Sequence, residues 1–234
     1  MDAIFRLYEG LARLGPGSEG STLRALRMAP DLPAQPRILD LGCGTGAASL
    51  VLARETGGHV TAVDIHQPFL DDLQRKAAEV GLAGRITTRC RAMDALEDPP
   101  ASYDLIWSEG AIYLIGFERG LRLWRPLLRP GGRLCLTEAS WLTDDPPAEA
   151  RDFWAAAYPA MGTVGENLDR IRAAGYEARS HFALPRSDWE IEYYRPLQAR
   201  MNGLRGDTTF AEILEETDRE VELYRRFGDS YGYV

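Results

Sequence analysis

Short apolar segments alternate with amphipathic segments between residues 36 and 138, and this alternation constrains the fold more than any other feature. Segments typical of buried strands occur at residues 37–41, 59–64, 85–90, 103–107 and 133–138. The residues between them carry apolar side chains at helical spacing. Because each strand and helix together span about 30 residues, the pattern is typical of βαβ units. We therefore predict an α/β fold with a doubly wound, mostly parallel, Rossmann-like sheet.

The segments outside this alternation predict a helical cap and one late strand. Residues 1–29 are predicted to form an N-terminal helical cap, in which residues 4–14 have the spacing of one helix. The α/β core is predicted to span residues 36–184 and to include a sixth strand at its end. Residues 187–228 are predicted to form a helical insertion or cap, and residues 231–234 the start of a last strand. We expect all 234 residues to form one domain.

Composition excludes several classes of partner. The chain carries 27 basic and 35 acidic residues, a net charge of −8. Nucleic-acid affinity depends on clustered Lys and Arg, so we expect no nucleic-acid partner. No apolar stretch approaches the ~20 residues needed to cross a bilayer, and the N-terminus lacks the pattern of a signal peptide. The few cysteines and histidines lack the spacing of metal ligands. We expect a cytoplasmic protein with no membrane partner and no metal.

A glycine-rich turn and an acid predict a nucleoside site. Gly42, Gly44 and Gly46 follow the first strand and open a helix, a context in which glycine lets a ligand approach the main chain. Asp64 ends the next strand, where a carboxylate can accept hydrogen bonds from both hydroxyls of a ribose. The alternatives are tight-turn glycines and, for Asp64, a cap of the following helix.

The charges around this turn favour S-adenosylmethionine over a nicotinamide dinucleotide. Asp40 lies two residues before the first glycine, where its charge would repel a pyrophosphate but attract an ammonium and a sulfonium. A short-chain dehydrogenase would need a catalytic Tyr-x-x-x-Lys. The sole lysine is Lys76, and Asp72 stands four residues before it, so that form of the dehydrogenase hypothesis fails.

Five segments resemble, in order, the motifs of the class I S-adenosylmethionine-dependent methyltransferases. ILDLGCGTG at residues 38–46 is similar to the first motif, and VTAVDI at residues 60–65 to the second. Residues 90–94, 103–113 and 128–138 resemble the third, fourth and fifth. The resemblance implies a sheet of strand order 3-2-1-4-5-7-6, with strand seven antiparallel.

The resemblance also implies a cofactor, a product and a set of binding residues. The cofactor is S-adenosyl-L-methionine, and the product is S-adenosyl-L-homocysteine. Asp94 would bond the adenine amino group, and Met93 would lie along the base. The full set implied to bind the cofactor is Asp40, Gly42, Gly44, Gly46, Asp64, Ile65, Met93, Asp94 and Ser108.

A narrower likeness bears on the methyl acceptor. Residues 107–120 and 137–149 and the terminal Tyr-Gly-Tyr are similar to bacterial small-molecule methyltransferases. These are related to the group that methylates quinones in ubiquinone and menaquinone biosynthesis. We therefore expect a small-molecule acceptor and a monomer or homodimer. The alternatives are a non-catalytic module that binds S-adenosylmethionine or another nucleoside, and a nicotinamide-dependent oxidoreductase.

Three residues are candidates for catalysis. Glu109 ends the fourth strand, at the edge where open α/β sheets bind ligands. Its carboxylate could stabilise the sulfonium, orient an acceptor or remove a proton, or it could simply face a helix dipole. Glu138, at the end of the fifth strand, has the same alternatives. Tyr113 is expected to line an acceptor pocket.

Overall fold

The computed structural model describes residues 2–234, with side chains from residue 3. The strands are β1 (Arg37–Leu41), β2 (His59–Asp64), β3 (Ile86–Cys90), β4 (Tyr103–Ser108), β5 (Leu128–Leu136), β6 (Ala139–Trp141), β7 (Gly162–Thr163) and β8 (Tyr231–Tyr233). The α-helices are α1 (Asp2–Tyr8), α2 (Glu19–Arg27), α3 (Ala47–Thr56), α4 (Gln67–Glu79), α5 (Phe117–Trp124), α6 (Ala148–Ala157), α7 (Val164–Ala173), α8 (Arg186–Trp189), α9 (Arg195–Asn202) and α10 (Ala211–Phe227). Two units make up the chain, Gly10–Glu138 and Met1–Glu9 with Ala139–Val234.

The unit Gly10–Glu138 contains a five-stranded parallel sheet of order β3-β2-β1-β4-β5. Its central strands β1 and β4 are buried along almost all of their length, since helices cover both faces of such a sheet. Ile38, Leu39 and Leu41 of β1 and Leu105 and Ile106 of β4 are fully buried. The α/β fold class predicted from the sequence is confirmed, as is the order of these five strands.

Strand β5 begins earlier than the sequence predicts. Leu128 pairs with Tyr103, and the next pair joins Arg133 to Leu105, so residues 129–132 bulge out of the ladder. Gly131 in this bulge has φ of +79°, a conformation that glycine adopts without a Cβ clash. The ladder ends at Leu136, two residues before the predicted end.

The second unit contains its own sheet, of order β7-β6-β8. Strand β6 is parallel to β7 and antiparallel to β8. The chain therefore ends in a strand, and that strand is antiparallel, as predicted. The prediction that strands six and seven extend the main sheet is wrong. The main ladder ends at Leu136. After Thr137 and Glu138 the chain starts a separate ladder with β6, so the later strands pair with β6 and not with β5.

The strand predicted at residues 176–184 is absent. Its side chains alternate between exposed and half-buried from 176 to 179 and again from 181 to 184, as on the edge of a sheet. The backbone N–H of Leu184 donates to the carbonyl of Tyr233 over 2.8 Å, so the segment meets β8 at its end. Alternating burial of side chains shows which face of the segment is covered, and it does not require a ladder of hydrogen bonds.

The predicted N-terminal helix over residues 4–14 is also too long. Helix α1 ends at Tyr8, and Gly10 follows with φ of +82°, which an α-helix cannot accommodate. Helix α2 starts only after Ser18, whose Oγ accepts a hydrogen bond from the N–H of Ser21 over 3.1 Å. Leu11 and Leu14 therefore lie in the irregular connection between α1 and α2.

The C-terminal helices lie close to their predicted positions. Helices α8 and α9 form one helical run with a π-helical turn, Glu190–Tyr194, between them, and α10 ends at Phe227. Within the described residues 2–234, every helix is too short or too polar to cross a lipid bilayer.

Candidate cofactor and active site

The glycine turn after β1 packs too tightly for any larger residue. A Cβ built on Gly42 would lie 2.3 Å from Cβ of Ala111, and one on Gly46 would lie 2.1 Å from Cδ1 of Leu73. Both glycines have positive φ, +70° and +82°. The turn thus fits against the loop after β4 on one side and against α4 on the other.

Asp64 connects the glycine turn to the segment after β2. Its Oδ2 accepts a hydrogen bond from the N–H of Gly44 over 2.9 Å, and its Oδ1 accepts one from the N–H of His66 over 3.0 Å. The cap residue of α4 is His66, so Asp64 does not cap that helix. A carboxylate has about four acceptor positions, so Asp64 retains capacity for a ribose. Ile65 beside it exposes 57% of its surface.

Asp40 is buried at the end of β1, with 1% of its surface exposed. Its Oδ2 accepts a hydrogen bond from Oγ of Ser49 over 2.5 Å. Burial raises the pKa of Asp40 to about 7, opposed by the bond from Ser49 and increased by the nearby carboxylates of Glu109 and Asp64. A cation placed beside this group would favour its charged form.

Met93 and Asp94 lie after β3, next to the glycine turn. Sδ of Met93 is 3.9 Å from the position of a Cβ on Gly42. The carbonyl of Met93 accepts a hydrogen bond from Nε1 of Trp124 over 2.9 Å. Oδ2 of Asp94 accepts one from Nη1 of Arg119 over 2.7 Å. Since the side chain of Arg119 is 54% exposed, this ion pair is a weak one.

Ser108 is fully buried at the end of β4. Its Oγ donates to the carbonyl of Leu41 over 3.0 Å, and its own carbonyl accepts from the N–H of Thr137 over 3.0 Å. Oγ1 of Thr137 in turn accepts from the N–H of Gly110 over 2.7 Å. These bonds join the ends of β1, β4 and β5. A role for Ser108 in cofactor binding stays a prediction.

Glu109 is held by three side chains. Its Oε2 accepts a hydrogen bond from Nη1 of Arg13 over 2.8 Å. Its Oε1 accepts from Oγ1 of Thr22 over 2.7 Å and from Nε1 of Trp107 over 3.0 Å. The side chains of Arg13 and Glu109 are only 11% and 17% exposed. Sequence reasoning missed Arg13, because the pair joins residues 96 apart in the chain.

Residues 11–22, which we call the N-terminal strap, lie against the glycine turn. Oγ1 of Thr45 donates to the carbonyls of Leu11 and Ala12 over 3.1 and 3.0 Å. A Cβ on Gly44 would be 2.7 Å from Cδ1 of Leu14. The strap therefore contacts the glycine turn through Leu11, Ala12 and Leu14. It contacts Glu109 through the side chains of Arg13 and Thr22.

The other two candidate catalytic residues follow β5 and β4, which are neighbours in the sheet. Glu138 follows the end of β5, the neighbour of β4, and is 3% exposed. Tyr113 lies in the 3₁₀ turn Ile112–Ile115 after β4 and is 38% exposed. The catalytic roles of all three residues stay predictions.

The charges at this edge of the sheet fit a cationic ligand. Three adjacent strands carry a carboxylate at or just beyond their carboxyl ends: Asp40 on β1, Asp64 on β2 and Glu109 after β4. The charges of Glu109 and Asp64 raise the pKa of Asp40, and the charge of Arg13 lowers it. Three carboxylates against one guanidinium leave a negative balance, which suits the ammonium and sulfonium of S-adenosylmethionine. Fold and site together define an α/β protein that binds a nucleoside with a positively charged substituent.

Comparisons with known proteins agree with this class. Residues 38–132 match the family described as "Methyltransferase domain". The 27-O-demethylrifamycin SV methyltransferase of Amycolatopsis mediterranei is 28% identical over 232 residues, which cover 92% of this chain and 82% of that protein. The ubiquinone/menaquinone biosynthesis C-methyltransferase UbiE of Vibrio vulnificus is 29% identical over 150 residues, covering 62% of this chain and 58% of that protein.

A solved structure has the same fold. It is that of an S-adenosylmethionine-dependent methyltransferase from Geobacter sulfurreducens in complex with S-adenosyl-L-homocysteine. It matches with a TM-score of 0.84 and 23% sequence identity, over 100% of this chain and 95% of that one. These comparisons support the class I S-adenosylmethionine-dependent methyltransferases, the family that the sequence motifs resemble, and S-adenosylmethionine as the cofactor. Both predictions from the sequence are confirmed.

Proposed function

We propose that this chain transfers a methyl group from S-adenosylmethionine to a small-molecule acceptor. When bound, the cofactor supplies an electrophilic methyl group on a sulfonium. The observation that carries the proposal is the cluster of carboxylates Asp40, Asp64 and Glu109 around the glycine turn. The relatives named above are a 27-O-demethylrifamycin SV methyltransferase and a C-methyltransferase of ubiquinone/menaquinone biosynthesis, which supports an acceptor of small size.

The adenosine is held, in this proposal, by residues of three adjacent strands. Asp64 accepts the ribose hydroxyls, and the exposed Ile65 packs on the base. Met93 lies along the base. Asp94 accepts a hydrogen bond from the amino group of the base and gives up its ion pair with the exposed Arg119. Because exposed ion pairs contribute at most about 1 kcal/mol, this exchange is inexpensive.

The methionine portion lies against the glycine turn. Gly42, Gly44 and Gly46 leave the backbone open to it, and Ser108 shapes the floor where β1 and β4 end. Asp40 in its charged form attracts the ammonium group. Since the pKa of Asp40 is raised to about 7, Asp40 releases its remaining proton as the cationic cofactor binds.

Glu109, Tyr113 and Glu138 are the residues proposed to contact the acceptor. Displacement at a sulfonium needs little covalent assistance, so their work is to orient the nucleophile and to take up its proton. Positioning alone can lower such a barrier by up to about 7–11 kcal/mol. A cytoplasmic location and a monomeric or homodimeric state complete the proposal.

The function is tested by measuring S-adenosylhomocysteine release across a panel of phenols, amines, thiols and quinols. We expect release above the rate without acceptor for at least one class. If the chain binds S-adenosylmethionine but turns over with no class, the non-catalytic binding module is the better description. If a panel of cofactors shows binding only to a nicotinamide dinucleotide, the proposal is wrong.

The role of Glu109 is tested with Glu109→Gln and, as a control, Glu118→Gln on the exposed start of α5. A base or orienting group typically contributes 10²–10⁴-fold, so we expect turnover to fall at least about a hundredfold in the first variant. The affinity for S-adenosylmethionine should stay within about tenfold. A group that raises the rate contributes mainly in the transition state, and its loss therefore lowers turnover more than it lowers the binding of the cofactor. Full turnover with weakened cofactor binding would show that Glu109 serves the cofactor only.

A further inference from the structure

Arg13 is the cation of the N-terminal strap, and the structure pairs it with a residue that the proposed chemistry needs elsewhere. Its Nη1 donates to Oε2 of Glu109 and its Nη2 to Oγ1 of Thr22, over 2.8 and 3.2 Å. A guanidinium has five N–H donors, so Arg13 has donors for a further acceptor. A Glu109 that is bonded to Arg13 is poorly placed to orient an acceptor or to take its proton.

The methyl donor carries three charges, and the carboxylates of the site match only two of them. Its ammonium and sulfonium are cations, but its own carboxylate requires a donor. Lys76 contacts the glycine turn directly, and Arg13 belongs to the strap that contacts it. Lys76 pairs with Asp72 over 2.7 Å on α4 and donates to the carbonyl of Thr45 over 3.4 Å. The charge of Arg13 lowers the pKa of the buried Asp40, against the larger effect of burial.

We propose that Arg13 binds the carboxylate of S-adenosylmethionine and leaves Glu109 as it does so. The Glu109 carboxylate then becomes available to the acceptor only when the cofactor is in place. This inference rests on the proposed function, and it assigns Arg13 as a cofactor-binding residue of the strap.

The exchange replaces one carboxylate partner of Arg13 by another. The planar guanidinium can bind either carboxylate in a bidentate arrangement, so its charge stays compensated away from bulk water. Glu109 keeps the hydrogen bonds from Thr22 and Trp107, so its carboxylate is not stranded without donors. The bonds of Thr45 to the carbonyls of Leu11 and Ala12 involve no side chain of the strap and can persist through the exchange.

The experiment compares S-adenosylmethionine with decarboxylated S-adenosylmethionine, which lacks only the group in question. Calorimetry measures the affinity of both ligands for the wild type, Arg13→Ala, Arg13→Lys and the control Lys76→Ala. We expect Arg13→Ala to weaken S-adenosylmethionine at least tenfold and the decarboxylated ligand less than twofold. Arg13→Lys keeps the charge without the planar fork, so its loss should be intermediate. Lys76→Ala should change the ratio of the two affinities less than twofold.

The release of Glu109 has its own readout. Glu109→Gln removes the competing carboxylate from Arg13, so the ratio of the affinity for S-adenosylmethionine to that for the decarboxylated ligand should rise several-fold. Using the ratio cancels any effect of Glu109 on the sulfonium, which both ligands share.

The outcomes separate this inference from the proposed function. Equal losses for both ligands in Arg13→Ala would show that Arg13 only holds the strap, and no loss for either would show that it does not contact the cofactor. A fall of the ratio in Glu109→Gln would contradict the exchange. Circular dichroism checks that each variant is folded, and Arg13→Lys serves if Arg13→Ala is not. Failure of the wild type to bind either ligand would instead overturn the proposed function.

Discussion

The two units of this chain bury polar groups in different ways. The unit Gly10–Glu138 buries charges, the carboxylate of Asp40 and the ion pair of Arg13 with Glu109, at the ends of parallel strands. The unit that ends at Val234 buries aromatic rings and their hydroxyls. Rings of Trp189 and Tyr224 stack with centroids 4.5 Å apart.

Three tyrosine hydroxyls of the second unit take part in two hydrogen bonds. Oη of Tyr8 and Oη of Tyr193 are 2.8 Å apart, and Oη of Tyr194 donates to Oε1 of Glu220 over 2.8 Å. Burial raises the pKa of the Tyr193 and Tyr194 phenols well above the ordinary value, so both stay neutral. Charges that share a site without full neutralisation suit a ligand, whereas buried hydroxyls that each have a hydrogen-bond partner suit a packed core. We therefore expect substitutions in the first unit to change binding and those in the second to change stability alone.

The largest change in stability is expected from a substitution of Gly46, which packs closely against Leu73 in the first unit. Gly46→Ala forces a Cβ into Leu73 and holds alanine at positive φ, so the free energy of unfolding should fall by about 2–4 kcal/mol. Urea unfolding measures it. Gly81→Ala is the matched control, since Gly81 has φ of +73° with no atom within 4 Å of an added Cβ. Equal losses in both variants would mean that the turn has room for a side chain.

Next in size is the loss of the ribose acceptor. Asp64→Ala should weaken S-adenosylmethionine on the order of a hundredfold, because hydrogen bonds to a charged group contribute about 1.5–3 kcal/mol each. Asp64→Asn, which keeps the shape, should fall between it and the wild type. Calorimetry measures both, with Asp71→Ala on the exposed face of α4 as the control. Affinity that is unchanged in Asp64→Ala would place the ribose elsewhere.

The pH dependence of Asp40 sharpens the contrast between ligand binding and stability. The pKa of Asp40 is raised to about 7 in the folded chain, so the folded state holds a proton that the unfolded state has lost above pH ~4. Its contribution to stability is therefore full below pH ~4 and is lost as the pH rises to about 7, at about 1.4 kcal/mol per pH unit. Affinity for the cationic cofactor should change in the opposite direction and rise until about pH 7.

Asp40→Asn lacks this titration. Comparing it with the wild type therefore separates the pH dependence due to Asp40 from that of the other titratable groups. The difference in unfolding free energy between the wild type and Asp40→Asn, measured by urea unfolding from pH 4 to 9, should shrink with rising pH. A difference that is constant across this range would show that Asp40 stays charged in the folded chain.

The smallest effect is expected in the second unit. Tyr194→Phe removes the donor to Glu220 and should lower the free energy of unfolding by about 1 kcal/mol. The affinity for S-adenosylmethionine should not change. Tyr8→Phe breaks a pair of neutral hydroxyls, and its loss should be no larger. If Tyr194→Phe lowered the cofactor affinity as much as Asp64→Ala does, the expectation that the second unit affects stability alone would be wrong.

Sequence patterns predicted the parts of the site that lie close together in the chain. The glycine turn and Asp64 belong to one βαβ unit, and the bond from the N–H of Gly44 to Asp64 joins them as expected for such a unit. The candidates Glu109 and Glu138 follow strands that pair in the sheet. Strand-end residues are predictable because parallel strands bring their carboxyl ends to one edge.

Local sequence by itself determined the five-stranded parallel sheet, the glycine turn and the helices after residue 185, because apolar periodicity and glycine reflect short-range sterics. Tertiary structure decided that α1 stops at Tyr8, that residues 11–22 form a strap, and that β8 pairs with β6 rather than with the main sheet. It also decided that Arg13 meets Glu109. An ion pair between residues 96 apart depends on how distant segments pack, and no pattern within either segment encodes it.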